Sequence, residues 1–235
     1  MIVAAVPVKD LSNAKQRLVP VLSPSERYLL ARAMLEDVLA ALCGASLDTV
    51  LVVTRDAEVI ELARRFAVAI LEEVENRGHT EAVALAQREA VKMGAQVFLT
   101  IPGDVPLVTA EEIRAVTGAA VPRPGAVFVP SRSGFGTNAA LLTPPDVMPL
   151  KFGEPSFANH LTAARERGVE PTVLRLPGLG LDIDGPDDLA ALVAEGGYTR
   201  SGCLVSAWGR HLSSPPSPYP TQMPLTSSPL PGGER

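Results

Sequence analysis

Short apolar runs at 2–8, 49–54, 68–71, 97–101, 126–130, 138–143 and 172–176 alternate along the chain with longer stretches of helical periodicity. Most of these runs are apolar at consecutive positions, which suits strands covered on both faces, as in a parallel sheet with helices above and below. Several helix starts are legible. Ser23-Pro24-Ser25-Glu26 predicts an N-cap, a first-turn proline and a capping-box glutamate, with the helix running to about Leu42. Thr109 and Glu112 repeat the capping-box spacing before Ile113 and Val116. Thr80 is the expected cap of a helix through Lys92 that Gly94 ends, and Pro155 and Pro186 each suit the first turn of a further helix. The alternation predicts an α/β fold, a doubly wound and mainly parallel sheet with right-handed crossovers, in a single domain over residues 1–198. Residues 199–235 read as a tail. From Ser213 onward it is rich in Pro, Ser and Thr, with too few apolar anchors to offset its ordering entropy. The expectation is a disordered extension without catalytic role, a docking peptide being the alternative.

Composition narrows the partners more than the fold. Hydrophobic residues make up 46% and charged residues 20% of the 235 positions, an ordinary balance for one domain with a full core. The net charge of -5 argues against nucleic acid or a membrane surface as main partner, although a local basic loop can still hold one nucleotide. The opening MIVAAVPVKD has no basic segment before its apolar stretch and reads as a first strand, not a signal peptide. No apolar run approaches the roughly 18 residues that a membrane helix needs. Cys43 and Cys203 lie far apart in unlike contexts; a single disulfide is one reading, and two free thiols in a reducing compartment, hence a cytoplasmic protein, is the favoured one. A homodimer is compatible with the sequence, which does not set the oligomeric state.

Four segments carry candidate chemistry. Lys9, Lys15 and Arg17 lie in a polar loop directly after the first strand, at the sheet edge where ligands bind in parallel folds, and are close enough in sequence to converge on a triphosphate. By charge alone a solvated basic turn is the commoner outcome, and it is the position at the end of the first strand that favours function. The strand at 97–101 ends in Pro102-Gly103-Asp104, and a carboxylate there suits Mg²⁺ or, alternatively, caps a turn. Asp182 and Asp184 point the same way if their stretch is extended, which offers a second metal ligand; Asp184 is otherwise an N-cap for the helix at Pro186. The small-residue stretches Gly134-Phe135-Gly136-Thr137-Asn138 and Phe152-Gly153-Glu154-Pro155-Ser156 complete the set. The second opens a helix whose first-turn N–H groups, with the Ser156 hydroxyl, form an anion site that Gly153 leaves open. His79, His160 and His211 are scattered and lack metal-ligand spacing, and Trp208 reads as an isolated hydrophobic contact. The sequence has no nucleophile elbow, Walker A loop or dinucleotide fingerprint after a strand.

Taken in order, VPVKDLSNAKQRL, the SPSERYLLARAMLEDVLAAL helix, PGDVPL, GTNAALL, FGEPSFANHL and LDIDGPDDL resemble the 2-phospho-L-lactate and phosphoenolpyruvate guanylyltransferases, the CofC family of coenzyme F-420 biosynthesis. The resemblance spans roughly residues 1 to 195. It implies a fold like that of the nucleotide-diphospho-sugar transferases and a reaction that joins GMP from GTP to a phosphorylated carboxylic acid, releasing pyrophosphate. It implies that Lys9, Lys15 and Arg17 face the nucleotide phosphates, with Lys15, Arg17 and Asp104 as the catalytic set. Asp104 with Asp182 or Asp184 would hold Mg²⁺, and Thr137, Gly153 and Ser156 would contact the acid. Gly78 and Thr80 fall in a loop that lies near the nucleoside in this family. There the usual Gly-Leu-Asn-Ala is replaced by Gly78-His79-Thr80-Glu81-Ala82, a departure that bears on base and acceptor choice. The rival readings are a related transferase acting on another phosphorylated acid, a sugar phosphate or a molybdopterin, and a nucleotide-binding module without catalysis.

Overall fold

The computed structural model of the chain describes residues 1–75, 77–119 and 122–209. Seven strands form one sheet among them: β1 (Ile2–Pro7), β2 (Thr49–Thr54), β3 (Ala69–Glu72), β4 (Val97–Thr100), β5 (Gly125–Pro130), β6 (Thr137–Thr143) and β7 (Thr172–Val173). Their spatial order is β3-β2-β1-β4-β6-β5-β7. The β1–β2, β1–β4, β2–β3 and β5–β7 ladders are parallel, whereas β6 runs antiparallel to both β4 and β5. The first four strands therefore deliver their carboxyl ends to one edge, and β6 delivers its amino end there: Thr100 pairs with Ala140, so Thr137 and Asn138 stand level with the turn after β4.

The helices are α1 (Pro24–Cys43), α2 (Ala57–Arg65), α3 (His79–Lys92), α4 (Ala110–Thr117), α5 (Ser156–Arg165), the single turn α6 (Pro177–Gly180), α7 (Pro186–Glu195) and α8 (Arg200–Ala207). Side chains alternate across each strand, and here both faces are apolar. Ala4 and Val6 of β1 join a buried cluster with α1, α2 and α4, while Val3 and Ala5 join another with α3 and α5. The doubly wound expectation thus matches the layers.

The α1 start matches its sequence signal in full. Ser23 accepts from the Glu26 N–H and the Glu26 carboxylate accepts from the Ser23 N–H. Three other local expectations need correction. Thr80 does not cap α3: Gly78, at φ 101°, holds the N-cap position, and Thr80 lies within the first turn. The Thr109 hydroxyl accepts from the Glu112 N–H, but the Glu112 carboxylate turns away to accept from the N–H groups of Gly178 and Leu179. Pro155 sits just before α5 as its N-cap, so the helix begins at Ser156.

The domain also continues past the expected boundary at 198. Thr199 caps α8 with its hydroxyl. The buried Asp37 carboxylate of α1 accepts from the N–H groups of Arg200 (2.8 Å) and Ser201 (2.9 Å) and from the Ser201 hydroxyl (2.7 Å). Val205, with Trp208 packed beside it, closes a third cluster with Leu18, Leu30, Met34, Leu189 and Leu192. The proline-rich segment from 210 onward, with His211, lies outside the described residues.

Candidate active site

The loop from Val8 to Lys15 leaves β1 at the carboxyl edge. Asp10 shapes it by accepting from the Ser12 N–H and hydroxyl and from the Asn13 amide; the Ser12 hydroxyl, foremost among these donors, holds the Asp10 carboxyl below its ordinary pKa. Asp56, which caps α2 with one carboxylate oxygen, accepts the Leu11 N–H with the other. The loop ends on Lys15, a non-glycine residue in the left-handed region (φ 56°, ψ 46°), and a 3-10 turn, Gln16–Leu18, follows with Leu18 buried as its anchor. Such a backbone costs on the order of 1–3 kcal/mol and persists only where its surroundings hold it. Here the Lys15 ammonium reaches across the edge to Asp104 (2.5 Å) and Asp184 (3.1 Å).

Asp104 stands in the turn after β4, and its carbonyl accepts from the Ile183 N–H, which docks the 181–184 stretch alongside it. Asp184 also pairs with Arg17 at 3.4 Å. The Asp182 carboxylate accepts from Asn138 Nδ2 at 3.0 Å, and the same amide donates to the carbonyls of Leu179 and Gly180. Neither Asp182 nor Asp184 caps α7: Gly185 holds that position, and the Asp188 carboxylate accepts from the Asp184 and Gly185 N–H groups.

Burial works against the Lys15 ammonium, but the charges of Asp104 and Asp184 outweigh it and raise its pKa. Burial likewise pushes Asp104 toward protonation, and the Lys15 ammonium overcomes that and holds its carboxyl below the ordinary value. Asp182 moves the other way. Burial raises it, the Asn138 hydrogen bond opposes, and the charges of Asp104 and Asp184 add to the rise. Asp104 and Asp184 thus share one buried ammonium, Asp184 also meets the Arg17 guanidinium, and Asp182 stands beside them without an ion-pair partner among the described residues. They do not form a ready-made cage: among the described residues no three His, Cys, Asp or Glu side chains are arranged to hold a metal ion. Lys15 sits between Asp104 and Asp184, and Asn138 holds Asp182.

A cavity of about 440 Å³ opens beside this cluster, lined by Lys9, Asp10, Lys15, His79 and Asp104 with Leu11 and Met34 among its apolar residues. That volume lies within the range of small-ligand sites. Lys9 Nζ comes within 4.0 Å of where a side chain on Gly78 would begin. His79 meets the Phe152 ring edge-on at 4.5 Å, and burial pushes its pKa down to about 4. Thr80 is turned to the 152–155 loop, where its hydroxyl accepts from the Phe152 N–H (3.0 Å) and donates to the Phe152 carbonyl (3.4 Å). Gly153 has φ 111° and open space where a Cβ would stand.

Thr137 and Ser156 are buried, and their hydroxyls meet each other at 3.4 Å. Of the N–H groups at the start of α5, that of Phe157 donates to the Phe135 carbonyl. The structure therefore gathers Lys9, Lys15, Asp104, Asp184, Arg17 and Asp182 around one edge, with Gly78 beside Lys9. Thr80, Thr137 and Ser156 have their hydroxyls engaged with protein.

The family model described as "Guanylyl transferase CofC like" matches residues 2–209. The chain belongs to this CofC family. It is 44% identical over 192 residues to the phosphoenolpyruvate guanylyltransferase of Sphaerobacter thermophilus, covering 81% of this chain and 91% of that protein. It is 37% identical over 198 residues to the 2-phospho-L-lactate guanylyltransferase of Methanothermobacter thermautotrophicus, covering 84% and 86%. A solved structure described as a nucleotide-diphospho-sugar transferase from Desulfovibrio desulfuricans G20 shares the fold at a TM-score of 0.69 and 17% identity, over 88% of this chain and 94% of that one. This CofC-family fold includes α8, within the matched residues.

Sequence reasoning passed over Asn138 and His160, although a signal existed for both. Asn138 is the amide in an otherwise apolar strand interior, Ala139 through Leu142, and a buried amide needs partners. His160 stands four residues after Ser156, which puts both on one face of α5.

Proposed function

We propose that this guanylyltransferase joins GMP from GTP to phosphoenolpyruvate, or to 2-phospho-L-lactate, in coenzyme F-420 biosynthesis, with phosphoenolpyruvate the favoured acid. The observation that carries this reading is the Lys15 ammonium seated between Asp104 and Asp184 at the rim of the cavity, in a member of this family. A phosphate oxygen of the acid attacks the α-phosphorus of GTP. The new bond forms as the bond to the β-phosphate oxygen breaks, and pyrophosphate leaves with the electron pair. The nucleophile is already an anion near neutral pH, so no histidine base is required. That accords with His79 being held neutral and with His160 lying in the core.

Lys9, Lys15 and Arg17 bind the phosphates and stabilise the departing pyrophosphate, a positioning and charge-neutralising role. Gly78 leaves room beside Lys9 for the nucleoside, and Thr80 ties that wall to the acceptor loop. Thr137, Gly153 and Ser156 form the acid site. The donor set fits a hard divalent cation. Its oxygens are hard donors, and Asp182, whose pKa is raised by burial first and then by the charges of Asp104 and Asp184, would be relieved by a nearby cation. Asp104, Asp182 and Asp184 would hold Mg²⁺, which needs only one or two carboxylates where phosphates and water supply the rest and which would neutralise charge on the reacting phosphates. Both substrates are cytoplasmic metabolites, and the reaction is placed there.

Phosphorus NMR and pyrophosphate release, run with GTP and each acid in turn and coupled to the deazaflavin precursor, test the reading. A diphosphate joining guanosine to the enolpyruvoyl group through a new P–O–P anhydride bond is the expected product. No pyrophosphate release with either acid, or equal use of ATP and GTP, would sink it.

A further inference from the structure

His160 is 1% exposed, a histidine in the core with a partner on each ring nitrogen. Its ring is stacked on Phe128 (centroids 5.4 Å, planes 11° apart) and touched edge-on by Phe152 (5.1 Å), so its plane is fixed. Nε2 lies 3.0 Å from the backbone N–H of Lys151. A backbone N–H can only donate, so Nε2 must be the acceptor and carries no proton. Burial pushes the His160 pKa down to about 4, so the ring is neutral at pH 7 and its single proton is on Nδ1. Nδ1 lies 2.9 Å from Thr137 Oγ1, and this contact can then run in one direction only, from Nδ1–H to the hydroxyl oxygen. Ser156 Oγ donates to the same oxygen at 3.4 Å. With both lone pairs of Thr137 Oγ1 facing donors, its own proton is left over, and among the described residues no protein acceptor takes it.

We propose that His160 is a positioning residue for the acceptor site, forcing the Thr137 hydroxyl to act as a donor toward an anionic oxygen of the bound acid. The inference rests on the reading above that Thr137 contacts the acid. Its chemistry is a directed chain: Lys151 N–H to His160 Nε2, His160 Nδ1–H to Thr137 Oγ1, and Thr137 O–H to the carboxylate or phosphate of the substrate. An anionic oxygen accepts this hydrogen bond more strongly than a neutral carbonyl does, and with both its lone pairs taken the hydroxyl cannot accept from the O–H of a protonated acid, so the direction favours the ionised acid. The opposite tautomer would set Nε2–H against the Lys151 N–H and would draw the Thr137 proton back toward the protein.

Two measurements test it. In protein labelled with ¹⁵N-histidine, at pH 7, the signals lost in His160→Gln identify this ring among the three histidines. The proton is expected on Nδ1; a proton on Nε2, or an imidazolium, overturns the proposal without any activity assay. In steady-state kinetics, His160→Leu is expected to raise KM for the acid about 10-fold or more, with KM for GTP within about 2-fold. His160→Asn, whose amide can donate from the Nδ1 position, recovers most of that loss. Thr137→Val separates this inference from the reading beneath it. If Thr137→Val leaves KM for the acid unchanged, Thr137 is not an acid contact, and both fall. If Thr137→Val raises it and His160→Leu does not, only the role of His160 falls. Should His160→Leu fail to fold, the NMR result and the Asn variant decide.

Discussion

Lys15→Met separates the structural from the chemical work of the buried ammonium. Methionine keeps the length of the side chain and removes its charge. Stripping one partner from a fully buried ion pair costs roughly 3–5 kcal/mol, because a carboxylate is left uncompensated. Here the Lys15 side chain is 8% exposed, but its partners Asp104 and Asp184 are 30% and 44% exposed, so water screens much of that loss. About 2 kcal/mol is the reasonable figure. A domain of this size loses roughly 2–4 °C of Tm per kcal/mol, which predicts a fall of about 4–8 °C. Among the described residues the variant leaves Arg17, 3.4 Å from Asp184, as the remaining ion-pair partner of these carboxylates. A divalent cation then takes the place of the ammonium. At 10 mM Mg²⁺ a site of about 1 mM affinity gains roughly 1.4 kcal/mol, recovering about 3–6 °C. The free wild-type protein, whose ammonium already neutralises the pair, responds far less. Thermal unfolding of both proteins with and without Mg²⁺ is the assay, alongside pyrophosphate release, which drops at least about 100-fold in the variant. An equal Mg²⁺ response in the two proteins, or a variant more stable than wild type without metal, refutes the reasoning.

Three further outcomes follow from the same geometry. Asp104→Asn keeps the shape of the side chain but not its charge, and turnover in saturating Mg²⁺ is expected to fall about 100-fold or more while circular dichroism is unchanged; near-normal turnover removes Asp104 from the reaction. Asp37→Ala strips three donors of α8 of a buried acceptor, at a cost of about 3 kcal/mol and a Tm lower by about 6–12 °C, whereas a Tm within about 2 °C of wild type would detach α8 from the domain. For His160, the unfolded imidazole titrates near 6.5 and the folded one near about 4, so between those values the unfolded chain holds the extra proton. Stability from this group is complete above about pH 6.5 and is lost as pH falls toward about 4, roughly 3 kcal/mol in all; His79 titrates in the same window, so urea unfolding should show a slope that is shallower in His160→Asn than in wild type by this amount.

The strands were legible because continuous apolar runs admit little else, but such runs look the same whichever way a strand points. The reversal of β6 escaped notice although a signal was present: only residues 131–136 separate β5 from β6, too few for a parallel crossover. Helix α8 was hidden by the proline-rich composition that follows it, while its Thr199 cap and the Asp37 carboxylate, more than 160 residues away in sequence, fix it in place. The cationic and acidic cluster was readable because it falls at strand ends, where the fold leaves room for ligands. Thr80 was misread because local capping rules cannot anticipate a partner such as Phe152, which lies 72 residues away. Histidine spacing was the wrong test for His160, whose role comes from having both ring nitrogens engaged.

On the function proposed above, the reversal of β6 also divides labour between the two substrates. The triphosphate side is built from segments that leave parallel strands, the loop after β1 and the turn after β4. The acid side is built from the segment that enters an antiparallel strand, together with the start of α5. Changes confined to the 131–136 hairpin or the 152–155 loop can therefore recut the acceptor pocket while the nucleotide machinery keeps its geometry. Asn138 is the exception. It is part of the incoming strand yet holds Asp182, so it is the hinge pin at which any exchange of acceptor module must be kept in register with the reaction centre.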